Sequence, residues 1–210
     1  MGDKKATDIL NLLINKFPDA SCELNYSSGF ELLVAVILSA QCTDKRVNIV
    51  TKELFAKANT PSQMLELGSE NLQKIIYPCG FYRQKTKSIL MAATVLLEKY
   101  NGTVPNDIDA LTAITGVGRK TANVVLSELF NSGGMAVDTH VFRTAKRLGL
   151  ASGNTPKKVE LELNKLFKGN TKAAHQTLVW FGRYLCKSQR PLCADCPVVE
   201  YCVYSSKSFK

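Results

Sequence analysis

LTAITGVGRKTANVVLSELF, residues 111–130, reads as the end of one helix, a tight hairpin and a second helix. Gly116 and Gly118 punctuate the hairpin, since glycine reaches backbone angles that other residues resist. Beyond them Ala122, Val125, Leu126 and Leu129 recur at helical spacing. The start of that second helix offers free backbone N–H groups and the positive end of its dipole, which suits an anion such as a phosphate. Arg119 and Lys120 stand in its first turn. GVGRK alone also fits an ordinary turn followed by a solvated lysine.

The rest of the chain reads as helical. Its 210 residues suffice for one large domain or two small ones, and a 45% hydrophobic content is ordinary for a globular protein. Lysine and arginine number 27 against 18 acids, a formal charge of +9 and a pI near 9.2. That balance suits a nucleic-acid partner. The longest strongly apolar run, residues 32–38, is too short to span a bilayer, and the start MGDKKATDIL carries no signal-peptide core. A soluble, intracellular protein without a membrane partner is expected, in the cytoplasm or nucleoid if the source is bacterial.

Helices are predicted at about 4–16, 30–39, 44–58, 61–67, 69–75, 83–99, 107–113, 139–148, 156–167 and 171–186, besides the hairpin's second helix, and no strand alternates convincingly. The 30–39 segment, FELLVAVILS, is apolar on most sides and should be central. Thr60-Pro61-Ser62-Gln63 is a good helix start, with Gln63 completing a capping box. Asp44 reads as an N-cap. Asn131-Ser132-Gly133-Gly134 is a clear break. The predicted fold class is all-α.

Seven cysteines, an odd number without a secretion signal, argue against a disulfide framework. Cys186, Cys193, Cys196 and Cys202 fall within seventeen residues. Four thiolates suit tetrahedral zinc or an iron–sulfur cluster, and the spacing alone leaves both open. Lys187 and Arg190 lie in the loop between the first two, where they could meet phosphates or only solvent. Asp138, in Val137-Asp138-Thr139-His140, begins a helix, where aspartate is a favoured cap. Arg83, Lys85 and Lys87 could touch phosphates or form a solvated helix face.

Four blocks in order, SAQCTD (39–44), GVGRKTANVV (116–125), AVDTH (136–140) and the x6-x2-x5 cysteine spacing, resemble the endonuclease III family of DNA base-excision glycosylases over roughly residues 6–204. The resemblance implies two helical domains with a DNA-binding cleft between them. One is a six-helix domain at 22–132 carrying a helix-hairpin-helix; 1–21 joins 133–210 in an iron–sulfur cluster domain. It implies that Lys120 is the nucleophile and Asp138, eighteen residues later, the catalytic carboxylate. Cys186, Cys193, Cys196 and Cys202 would hold one [4Fe–4S] cluster, zinc being the lesser choice. Gln41 would fill the gap left by a flipped base, and Phe81 would act as a wedge, although Phe81 fits a core position equally well. Gly116, Gly118, Arg119, Lys187 and Arg190 would contact DNA. His140 could face DNA or serve as a core or capping histidine.

Two departures stand out. Thr115 replaces the usual proline before the hairpin glycine, and Cys42 replaces a small residue. The function implied is a bifunctional DNA glycosylase and apurinic/apyrimidinic lyase. It would act on oxidised pyrimidines in duplex DNA, on damaged bases or abasic sites, as a monomer. An adenine-specific mismatch glycosylase shares fold and cluster but typically lacks the lysine and carries a further C-terminal domain, whereas eight residues follow Cys202 here. A non-catalytic DNA-binding module with a structural metal, or a small iron–sulfur electron carrier, are the readings from other classes.

Overall fold

The computed structural model describes residues 2–209, with the side chains of 4–209. Ten α-helices run in chain order: α1 Gly2–Lys16, α2 Gly29–Ser39, α3 Asp44–Lys57, α4 Pro61–Ile76, α5 Tyr82–Tyr100, α6 Ile108–Thr112, α7 Arg119–Phe130, α8 Thr139–Leu148, α9 Pro156–Leu166 and α10 Thr171–Trp180. Among the described residues there is no strand. The chain divides into two compact units, Glu23–Gly133 and a discontinuous one made of Met1–Cys22 with Gly134–Lys210.

In the Glu23–Gly133 unit, α2 is the central helix. Every residue from Phe30 to Leu38 is buried, and the helix packs on α3, α5 and α7. Each such Leu, Ile or Val contributes about 1.5–3 kcal/mol by leaving water. The one charged residue among them, Glu31, is hydrogen-bonded at the helix start. Its carboxylate accepts from Ser27 N–H at 2.5 Å while Ser28 Oγ accepts from Glu31 N–H at 3.2 Å, a reciprocal cap that starts the helix.

Helix α3 is capped by Thr43, whose Oγ1 accepts from Arg46 N–H, so Asp44 is the first helical residue rather than the cap. Thr60 caps α4, and Gln63 Oε1 reaches back to Asn59 N–H. The two helices expected at 61–67 and 69–75 are both present within the α4 span, separated at Gly68, whose φ 75°, ψ 165° is not helical.

The discontinuous unit packs α1, α9 and α10 with α8 around Ile9, Leu13, Val141, Leu148, Leu163, Leu178 and Phe181. The helix expected to run through 171–186 changes pitch. α10 ends at Trp180, and Phe181–Leu185 forms a π-helical turn. Gly182 lets this turn pack closely on α8, since a Cβ there would lie 2.9 Å from His140 Cβ and 3.2 Å from Thr144 Cγ2. Single π turns often mark functional positions in helices.

Candidate active site

The hairpin is built on a β-turn. Val117 N–H donates to Ile114 O at 2.9 Å, and Gly116 at the third turn position has φ 86°. Thr115, at the second position, is not among the residues of positive φ. That combination is a type II turn, which requires glycine at its third position. A Cβ on Gly116 would also overlap Ser88 Oγ on α5, so this glycine is needed twice over.

Gly118 is different. Its φ of −84° and ψ of 170° suit any residue, and a Cβ would meet nothing within 4 Å. The expectation that it supplies unusual backbone angles is therefore corrected. It is the N-cap of α7 and provides no side-chain cap, and a Cβ added there would meet nothing within 4 Å, so bulk is absent beside the start of that helix. Arg119 and Lys120 come next in the chain, both exposed. A type II turn favours proline at its second position. Thr115→Pro is thus expected to stabilise the protein by about 0.4–1 kcal/mol, measured by chemical denaturation.

Four exposed non-glycine residues of this unit adopt the left-handed conformation, of which Asn101 and Asn131 are the C-caps of α5 and α7, a place where asparagine is at home. Gln41 has φ 53° and Phe81 has φ 47°, and Phe81 is 65% exposed rather than in the core. Non-glycine residues in that region cluster at functional sites. Arg83 lies over the Tyr82 ring and Lys87 is exposed, but Lys85 is only 5% exposed, so the phosphate contact considered for it is excluded.

In the discontinuous unit, Asp138 caps α8. Its Oδ1 accepts from Val141 N–H at 2.7 Å, and the residue is half-buried. His140 is also half-buried, with Nδ1 3.3 Å from Arg143 Nη2. Burial pushes its pKa below the usual histidine value, opposed by the Asp138 charge and assisted by Arg143 and Arg183.

Two arginines of α8 join the site without any mark in the sequence pattern. Arg143 donates to the carbonyls of Gly182 (2.9 Å) and Cys186 (3.1 Å), which the change of helical pitch leaves available. Arg147 donates to Lys187 O (2.7 Å), Ser188 O (3.0 Å) and Cys186 Sγ (3.5 Å), and its guanidinium sits 3.9 Å from the Tyr204 ring centroid. They clamp the start of the cysteine loop. Lys187 and Arg190 are exposed on that loop, and Arg190 has φ 48°.

Cys186, Cys193, Cys196 and Cys202 line one small pocket, together with Leu148, Phe181, Leu185, Pro191 and Val199. Ser208 N–H donates to Cys193 Sγ at 3.3 Å. Among the described residues, no group of three or more His, Cys, Asp or Glu could hold a metal ion. Four thiols with apolar walls and N–H donors to two of the sulfurs are a donor set that suits a thiolate-bound metal or cluster.

Comparison with known proteins agrees with this geometry. The HhH-GPD superfamily of base excision DNA repair proteins matches residues 34–169. The chain is 50% identical over 199 residues to endonuclease III of Rickettsia conorii (strain ATCC VR-613 / Malish 7), covering 93% of this chain and 94% of that one. The chain belongs to the endonuclease III family. It is also 44% identical to endonuclease III of Escherichia coli (strain K12) over 99% of both chains. Among solved structures, a trapped endonuclease III–DNA covalent intermediate superposes with a TM-score of 0.90 at 44% identity, covering 96% of this chain and 95% of that one. A thermostable thymine-DNA glycosylase, 21% identical with a TM-score of 0.84 over 96% of both chains, shares the fold. Both units are therefore of the endonuclease III type, and no helix among the described residues is long and apolar enough to cross a membrane.

Proposed function

We propose that this member of the endonuclease III family is a bifunctional DNA glycosylase and apurinic/apyrimidinic lyase of base-excision repair, acting on oxidised pyrimidines in duplex DNA. The observation that carries this reading is Lys120. It stands exposed one residue inside α7, directly behind the type II turn and the uncapped helix start. A phosphate bound by those N–H groups would bring a deoxyribose to the amine. A member of this family has been trapped in covalent linkage to DNA.

The neutral amine of Lys120 attacks C1′, and the bond from C1′ to the base nitrogen breaks. The base leaves with that bond's electron pair and takes up a proton. The amine loses its protons as the sugar ring opens to an imine. The imine acidifies C2′; loss of a C2′ proton expels the 3′ phosphate, and water then releases the lysine. Asp138 carries the proton traffic and stabilises positive charge developing on the sugar. Gln41 and Phe81, held exposed in left-handed conformations, enter the space left by the extruded nucleotide. Arg119, Lys187 and Arg190 neutralise phosphates, with Gly116 and Gly118 giving backbone access and His140 beside Asp138.

Cys186, Cys193, Cys196 and Cys202 would hold one [4Fe–4S] cluster. When bound, it cross-links a loop of short 3₁₀ turns at Cys193–Asp195 and Val199–Tyr201, fixing Lys187 and Arg190 in place. Iron and acid-labile sulfide in equal amounts are the expected analysis; zinc alone would overturn the cluster. The enzyme would work where the cell's DNA is, in the cytoplasm and nucleoid if the source is bacterial, and one chain suffices.

The test is a lesion panel. Duplexes carrying one oxidised pyrimidine should lose the base and be nicked. Excision of adenine from mismatches, with oxidised pyrimidines untouched, would favour a mismatch glycosylase. DNA binding without release of any base would leave a binding module.

A further inference from the structure

Lys85 is the one buried lysine among the described residues, and it points into the Glu23–Gly133 unit from α5. Its Nζ donates to Leu38 O at 2.8 Å and to Cys79 O at 2.9 Å. It has no carboxylate partner among the described residues. An ammonium buried without a counter-charge is costly and is retained only where its hydrogen bonds matter. Burial pushes its pKa below the usual lysine value, opposed by the neighbouring thiols of Cys42 and Cys79, and burial likewise pushes the Cys79 thiol up to about 11.

Each of the two acceptors stands just before a loop tip. Leu38 is in the last turn of α2, and its carbonyl lacks the helical donor, because Cys42 N–H bonds to Ser39 O instead. Three residues beyond Leu38 stands Gln41, exposed with φ 53°. Cys79 ends the 3₁₀ turn Tyr77–Cys79, and two residues beyond it stands Phe81, exposed with φ 47°. One ammonium therefore fastens the roots of both loops that hold strained, outward-facing side chains. Lys85 N–H also donates to Phe81 O at 3.0 Å, tying the same residue's backbone to the second loop.

We propose that Lys85 is a positioning residue for base extrusion, its buried ammonium joining the Gln41 and Phe81 loops into one rigid pair that enters the duplex together. This rests on the glycosylase–lyase reading above. Breaking the strut lets the two tips move independently, and displacements on the scale of an ångström can cost about 100-fold in rate. The cost falls on extruding a stacked base. It spares later chemistry at a site that has no base left to unstack.

The experiment compares wild type, Lys85→Met and Lys85→Gln under single-turnover conditions on two duplexes, one with an oxidised pyrimidine and one with a preformed abasic site. A 2-aminopurine beside the lesion reports unstacking. Lys85→Met should slow base release about 10- to 100-fold with loss of the fluorescence rise, and slow abasic cleavage by less than about 3-fold. Lys85→Gln, which keeps a donor, should recover part of the loss, and it carries the same comparison if the methionine variant does not fold. In a Gln41→Ala/Phe81→Ala background the Lys85 effect should vanish, because nothing remains to be positioned. Equal losses on both duplexes, or a full effect in that background, would show a merely structural lysine and overturn the proposal. Wild type inactive on both duplexes would instead sink the glycosylase–lyase reading.

Discussion

Lys120→Ala is expected to remove base release and strand cleavage together, by about 10³-fold or more, while DNA binding and stability persist. The two activities fall as one because a single amine serves both: without it no imine forms, and without the imine the C2′ proton is not acidic. The magnitude reflects the outright loss of a nucleophile, after which only binding and electrostatics remain. Stability should hold within about 0.5 kcal/mol, since Lys120 is exposed and alanine is the best helix former. Parallel measurement of base release, nicking, DNA affinity and melting temperature checks all four. Retained base release with lost nicking would mean that water, not lysine, displaces the base.

Asp138→Asn is the second large effect, and here the cap and the chemistry separate. Asp138 Oδ1 accepts from Val141 N–H at 2.7 Å, and asparagine caps a helix as well as aspartate does. The melting temperature should therefore barely move. Base release should fall about 10²- to 10⁴-fold, the range for a lost acid–base group. Asp138→Ala would add the loss of the cap, about 1 kcal/mol, to the same kinetic defect. If Asn and Ala variants lose stability but the Asn variant keeps its rate, Asp138 is a cap and nothing more.

The sequence is most legible where short-range chemistry sets the structure. Thr60-Pro61-Ser62-Gln63 starts α4 by the bonds its residue types can make, and the unbroken apolar run 30–38 is buried throughout. Lys85 is deceptive because it sits in RQKTK, a run that looks solvated. Register decides otherwise, since Lys85, Ile89, Ala92 and Leu96 share the buried face of α5. The π turn at Phe181–Leu185 leaves no mark in the pattern except Gly182, whose absent Cβ makes room for His140 and Thr144 on α8. Arg143 and Arg147 are equally hidden. On α8 they read as ordinary basic residues, and their role depends on carbonyls some forty positions away that only the tertiary fold brings to them.

Gly118 carries the opposite lesson. A glycine motif is expected to serve backbone angles, and Gly116 does so at φ 86°, whereas Gly118 has ordinary angles and empty space above it. What glycine provides there is absence of bulk beside the first N–H groups of α7, consistent with a backbone phosphate approaching closely.

In this mechanism Lys120 bonds covalently to the sugar. Borohydride reduction during reaction with a duplex carrying one oxidised pyrimidine tests it most directly. Wild type should form a stable protein–DNA adduct mapping to Lys120, and Lys120→Ala should form none. An adduct of undiminished yield with Lys120→Ala, or no adduct from wild type that is releasing the base, would contradict it.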